Sequence, residues 1–453
     1  MARAGDGATA IAYSPVVLAG ATVGARDLTP TPTEQHEIQL RRLVGLAGDL
    51  TTVRGVDSSS TSTTSALGIP LSPSESANIV GRQRLNSWAA TILSRNSKNS
   101  SFAGVWIDQA AGGVIRVGKV SSTAATLHPS VDEARDLVPA ALETEFSAKY
   151  SFEQLTATQN EITQAVVAHD PILSTFNSVA ADVKTNRVVL TLDTDTTPDV
   201  RQAVTEKFGP EVDLQFSDSY FTESSGESSA APNATATISR SAKTGPLYGG
   251  AWLSNGGPVA GGNCTVFFSH LFNTLNQWYS VTAGHCGNGT YYEGRNRQGD
   301  VLGTGHANGY SVGGSGTCDC VAVGPLTGTH PTNLILVDNN ATYRYTSVAN
   351  GNSFIAGTAT CLSGAQSADT NNERLLCGII ASPSRTIQTR NNFTLIDAST
   401  VEGIVSQDGD SGGPYTTNHV LMGMHVAYNT GLGQTAMVKD YYIDSRFNAS
   451  YKL

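Results

Sequence analysis

The chain has 453 residues, 39% hydrophobic and 15% charged, with 28 lysines and arginines against 38 aspartates and glutamates. A net charge of -10 without any basic run excludes a nucleic-acid binder, and no uninterrupted apolar stretch is long enough for a transmembrane helix. The apolar content is too high for a chain disordered throughout, which leaves a soluble, acidic, multi-domain protein with no membrane partner.

Ala8–Ala25 is mildly apolar behind Arg3 and ends in Val23-Gly24-Ala25, as a signal peptide does, although Asp6 and Pro15 depart from that pattern. Thr33–Leu46 carries helical periodicity, and the Ser/Thr-rich tract Ser58–Ser65 reads as linker. Ser74–Leu93 is helical, and Phe102–Val120 is a hairpin around Gly112-Gly113. Val131–His169 holds two helical patterns broken at Tyr150-Ser151. Val179–Leu192 reads as a second hairpin turning near Lys184–Asn186. Pro198–Phe208 suits a helix with proline in its first turn, and Glu211–Phe216 suits a strand. Glu223–Thr244 is polar, short-side-chained and aperiodic, the kind of exposed segment that proteases nick. Strands and turns follow almost to the end: Cys264–Phe268, Trp278–Thr282, Cys320–Val323, Leu334–Val337, Cys377–Ala381 and Val420–His425.

The two ends of the chain differ in kind. Residues 246–453 hold 12 acidic and 9 basic residues and 30 of the 46 glycines, as a compact all-β domain with tight turns does. All six cysteines (Cys264, Cys286, Cys318, Cys320, Cys361 and Cys377) also lie there, which points to disulfides made in an oxidising compartment and hence to secretion. The expected division is a leader and linker at 1–65, an α+β domain at 66–220, a processing linker at 221–245 and an all-β domain at 246–453.

Gly409-Asp410-Ser411-Gly412-Gly413-Pro414 is the sharpest motif. A nucleophilic serine needs its Oγ held out on a tight turn with backbone N–H groups aimed at a developing oxyanion, and flanking glycines permit that shape. Thr282-Ala283-Gly284-His285-Cys286 supplies a histidine after an apolar run, a candidate base for Ser411. A buried carboxylate should orient it: Asp319, before Cys320–Val323, is the favoured candidate, and Asp338, before Asn339-Asn340, is its rival.

These elements, in the order His285, Asp319, Ser411, resemble the chymotrypsin-like serine protease family, in particular short bacterial secreted members similar to α-lytic protease and the streptogrisins. The resemblance covers about Pro246–Leu453. It implies two perpendicular six-stranded β-barrels with the triad in the cleft between them. Ser411 would be nucleophile, His285 general base and acid, and Asp319 its orienter, with the N–H groups of Gly409 and Ser411 as oxyanion hole. It implies pairing of Cys264 with Cys286 and of Cys361 with Cys377. The Phe102-Ala103-Gly104-Val105-Trp106 hairpin resembles part of the pro-regions such enzymes carry. Residues of about 70–220 would then be a pro-domain acting as chaperone and inhibitor of a monomeric peptidase, and protein or peptide substrates are the only other partners implied. No cofactor or metal is expected.

Cys318 and Cys320 depart from the family pattern. On a regular strand their Cα atoms would stand about 6.5–7 Å apart, at or beyond the limit for a disulfide. Either the strand kinks there or both remain thiols. The strand after the nucleophile motif, Leu421–Asn429, would form a wall of the S1 pocket, with His425 and Tyr428 on it and Val405 where a trypsin-like pocket wants an acid. Gly423-Met424-His425 resembles glutamate-specific members, so Glu or Gln is the expected P1 residue; the alternative is a core histidine beside an apolar pocket. Glu223 and Glu227 would then be self-processing sites. A pseudo-protease or binding module on the same fold is the competing function.

Overall fold

The computed structural model describes residues 29–59, 63–64, 67–121, 142–223, 240, 246–256, 262–326, 331–337, 342–370 and 375–451. The signal-peptide candidate, Asp338, Glu227 and most of the expected processing linker lie outside these residues.

Two helices open the structure, α1 (Pro32–Leu43) and α2 (Leu50–Asp57). The start of α1 is fixed by a capping box, in which Thr31 and Glu34 each accept the other's backbone N–H. Helix α2 lies in a stretch the sequence leaves unassigned; Thr51, Thr52 and Gly55 blur its apolar face, and the Asp49 cap starts it. Two short paired strands, β1 (Thr63–Thr64) and β2 (Pro70–Leu71), lead into α3 (Pro73–Asn96), which starts at a Ser72/Glu75 capping box. The first hairpin is β3 (Phe102–Asp108) and β4 (Val114–Val120).

Leu142–Ala148, expected within a helical pattern, is a strand instead, β5, lying parallel to β4. Pairing overrides its local pattern: the missing Cβ of Gly118 makes room for the Phe146 ring, which a Cβ there would approach to 2.5 Å. Ser151 caps α4 (Phe152–Val167), so the expected break at Tyr150-Ser151 separates strand from helix rather than helix from helix. The second hairpin, β6 (Phe176–Asp182) and β7 (Arg187–Leu192), is followed by α5 (Pro198–Phe208), β8 (Val212–Phe216) and the two-residue β9 (Thr222–Glu223).

From here the chain is nearly all strand. The first set is β10 (Trp252–Asn255), β11 (Asn263–Thr265), β12 (Ser269–Phe272), β13 (Gln277–Thr282), β14 (Thr290–Glu293), β15 (Val301–His306), β16 (Ser315–Gly316) and β17 (Val321–Leu326). Three short strands follow, β18 (Leu334–Leu336), β19 (Thr342–Arg344) and β20 (Ser347–Val348), then β21 (Ala359–Leu362) and α6 (Ala365–Thr370). The last are β22 (Leu376–Gln388), β23 (Thr394–Glu402), β24 (Pro414–Thr417), β25 (Val420–Asn429), β26 (Gln434–Lys439), α7 (Asp440–Phe447) and β27 (Ala449–Tyr451).

The hydrogen-bonded order of one sheet is β11-β10-β14-β15-β17-β13-β12-β27. In the other, β23-β26-β25-β24-β21-β22 close into a ring through the direct pairing of β22 with β23. Val281, Val321 and Val323 in the first sheet, Phe267 in the link from β11 to β12, and Met422, Met437 and Tyr415 in the second sheet are fully buried.

The N-terminal α+β part docks on the second sheet. Strand β6 pairs antiparallel with β22, placing Ala180 opposite Arg385, and the hydroxyls of Thr163 and Thr386 lie 2.9 Å apart. Gly357 meets the β3 backbone so closely that a Cβ would fall 1.8 Å from the Ile107 carbonyl oxygen. Only glycine fits that contact.

Candidate active site

Three segments from distant parts of the chain meet between the two sheets. His285 sits on a 3-10 turn, Gly284–Cys286, just past the end of β13. A disulfide from Cys286 to Cys264 on β11 pins that turn. Gly284 is packed against its neighbours: a Cβ would come 2.7 Å from the Tyr310 side chain and 2.9 Å from the Cys320 nitrogen. The close approach brings His285 onto Asp319.

Cys318 and Cys320 are bridged, with Cα atoms 5.2 Å apart. The chain bends there before β17 begins at Val321, which settles the open alternative in favour of a kink. Cys361 and Cys377, opposite each other on β21 and β22, form the third bridge.

Asp319 holds His285 twice, accepting its backbone N–H at Oδ1 (2.9 Å) and lying 2.7 Å from Nδ1 through Oδ2. The other ring nitrogen, Nε2, lies 2.8 Å from Ser411 Oγ. The His285 and Asp319 side chains are each 2% exposed. Burial alone would lower the imidazole pKa, but the charge and hydrogen bond of Asp319, helped by Glu223 and Asp408, leave it above the ordinary value.

Ser411 stands on a turn that needs its glycines. Gly409 and Gly412 adopt φ of +105° and +95°, and a Cβ on Gly412 would fall 2.0 Å from the Thr265 carbonyl oxygen. The turn is tied to both sheets: Thr265 N–H donates to the Ser411 carbonyl (2.7 Å), and Gly412 N–H to the His425 carbonyl (2.8 Å). Beneath it, Asp410 is fully buried and accepts from Ser367 N–H (2.8 Å), the Ser367 hydroxyl and Gln407 N–H (2.8 Å).

The expected S1 residues fall in different settings. His425 is fully buried, and burial, then repulsion from His285, push its imidazole down to about 3, so it is neutral. Tyr428 is half-buried with its hydroxyl 3.3 Å from Asp408. Val405 is 63% exposed on the loop after β23.

Three features have no sequence signal. Arg240, inside the expected processing linker, is 1% exposed and donates to Gly250 O (2.6 Å), Ser363 Oγ (2.9 Å) and Leu336 O (3.3 Å). Strand β9 pairs with β25, setting Thr222 opposite Tyr428 and Glu223 opposite Ala427. Tyr310 stands edge-on to His285, ring centroids 5.9 Å apart.

No family model and no curated protein sequence matches the chain. Among solved structures, the chain is similar over 46% of its length to Nocardiopsis protease (NAPase), at 20% identity and a TM-score of 0.37, covering 100% of that protein. Thermobifida fusca Protease A is similar over 46% of the chain and 98% of its own, at 23% identity and a TM-score of 0.36. A glutamic acid specific serine protease, described as using a novel histidine triad in substrate binding, is similar over 46% of the chain and 100% of its own, at 20% identity and a TM-score of 0.37.

Proposed function

We propose that the protein is a secreted serine endopeptidase made as a proenzyme. The observation that carries this reading is the continuous hydrogen-bond chain Asp319–His285–Ser411 in a water-poor setting. Ser411 Oγ attacks the scissile carbonyl as His285 Nε2 takes its proton; Asp319 keeps the Nδ1–H tautomer and stabilises the imidazolium. The N–H groups of Gly409 and Ser411 receive the negative charge on the former carbonyl oxygen. The imidazolium then protonates the leaving amine, and water repeats the sequence on the acyl-enzyme. The three bridges favour a secreted protein.

The α+β part acts as chaperone and inhibitor: its strands extend the second sheet through β6 and β22, and β9 lies on β25 beside Ser411. Maturation cuts within residues 224–239, because Arg240 is buried in the β part and stays with it. At P1 the enzyme takes Glu or Gln: His425 keeps its backbone bond to Ala436 through one ring nitrogen and, taking up a proton as the substrate binds, donates to the side-chain oxygen through the other.

The experiment follows the full-length chain after secretion by mass spectrometry, wild type beside Ser411→Ala, with a P1 peptide panel on wild type and His425→Ala. Self-cleavage that disappears in Ser411→Ala supports the peptidase, and equal processing of both contradicts it. A preference for Phe, Leu or Arg would sink the P1 assignment alone.

A further inference from the structure

Strand β9 shows how an extended peptide lies in this groove. It runs antiparallel to β25, from Tyr428 past Ala427 towards Val426, whose carbonyl oxygen is 3.4 Å from Ser411 Oγ. Upstream, Phe221 is fully buried and its carbonyl accepts Arg390 N–H at 2.8 Å. Such backbone pairing serves any extended peptide and carries no preference; side-chain pockets supply that.

The Glu223 side chain meets such a pocket. It belongs to a residue only 7% exposed, with Oε1 accepting from the Tyr310 hydroxyl (3.3 Å) and Oε2 from Asn391 Nδ2 (3.1 Å). Burial, then the charges of Glu223 and Asp319, raise the Tyr310 phenol above its ordinary pKa, so it remains a donor at any working pH. Buried carboxylate oxygens need such partners. Both groups are neutral and present their N–H and O–H to Glu223, so they fit a carboxylate or a carboxamide, whereas a methyl group leaves them unmatched and an ammonium would lose its water without meeting a negative charge from them.

We propose that Tyr310 and Asn391 form a subsite selecting a side chain that ends in a carboxylate or carboxamide, one residue before the scissile residue. In a peptide lying as β9 does, the residue opposite Val426 presents its carbonyl to Ser411, and the residue before it takes the place of Glu223. The inference rests on the peptidase reading and is separate from the P1 assignment to His425.

The full-length chain is expressed, nicked within residues 224–239, by itself or by thermolysin later quenched with EDTA, and separated from the released N-terminal part so that β9 leaves the groove. Ser411 is then titrated with a fluorophosphonate. Peptides identical except for Glu, Gln, Ala or Lys at this one position are compared. The Glu peptide should exceed the Ala peptide about tenfold in kcat/KM, with Lys lowest. Tyr310→Phe and Asn391→Ala should each draw the Glu/Ala ratio towards one, mainly through KM. A wild-type ratio near one while Ser411 still labels overturns the subsite and leaves the peptidase standing. No labelling and no hydrolysis of any peptide overturns the peptidase reading and the subsite with it.

Discussion

Replacing Asp319 by asparagine keeps the side chain's shape and removes the one acceptor that fixes the His285 tautomer. Asp319 is 1% exposed and receives the His285 backbone N–H at Oδ1, 2.9 Å away. That donor cannot change, so an asparagine must turn its carbonyl oxygen towards it. The –NH2 group then faces Nδ1 across the 2.7 Å contact, which forces Nδ1 to accept and leaves the proton on Nε2. That nitrogen, 2.8 Å from Ser411 Oγ, can no longer take the serine proton. The expected loss in turnover is about 10⁴, or roughly 5.4 kcal/mol at 1.36 kcal/mol per decade. The assay is kcat/KM on a peptide substrate, with circular dichroism and thermal melting to show an intact fold. A loss below tenfold, or an equally large loss in Asp338→Asn, refutes the assignment.

Three further outcomes follow from the charges and bridges. Glu223 helps raise the His285 imidazole, so in the unprocessed chain Glu223→Gln should move the acid limb of Ser411 labelling to lower pH; an unmoved limb contradicts the coupling. The Cys264–Cys286 bridge closes a loop of separation 22, so replacing both cysteines by alanine should cost about 3 kcal/mol in denaturant unfolding and depress activity further by loosening His285; unchanged stability refutes the pinning role. Burial pushes the Asp444 carboxyl up to about 7 in the fold, beside Asp440, Tyr451 and His270. The unfolded chain releases that proton near pH 4, so this stabilisation is complete below about 4 and lost as pH rises through about 7. Asp444→Asn should therefore flatten the fall of Tm between pH 5 and 8, and a fall as steep as wild type counts against it.

The parts of the site written in local chain geometry were legible. Gly409, Gly412 and Gly284 are demanded by positive φ or by backbone contacts under 3 Å, so the motifs around Ser411 and His285 announce themselves in sequence. Both hairpins and α5 were readable for the same reason: their turns and caps are local. What escaped depends on distant partners. Strand β5 is held by β4, α2 by one cap and its packing, and the bend that brings Cys318 to Cys320 has no signature in the residues around it. Tyr310 meets Glu223 across 87 positions, and Arg240 meets Ser363 across 123. In a tract as polar as Glu223–Thr244, nothing local marks either Glu223 or Arg240 as buried.

The central claim is that Ser411 is a nucleophile activated by His285. It is tested most directly by treating the processed wild-type protein and a His285→Ala variant with a fluorophosphonate and mapping the adduct by peptide mass spectrometry. The account predicts stoichiometric labelling of the wild type on Ser411 alone, and at least about a thousandfold slower labelling of the variant. Labelling on another serine, or equal rates in the two proteins, contradicts it.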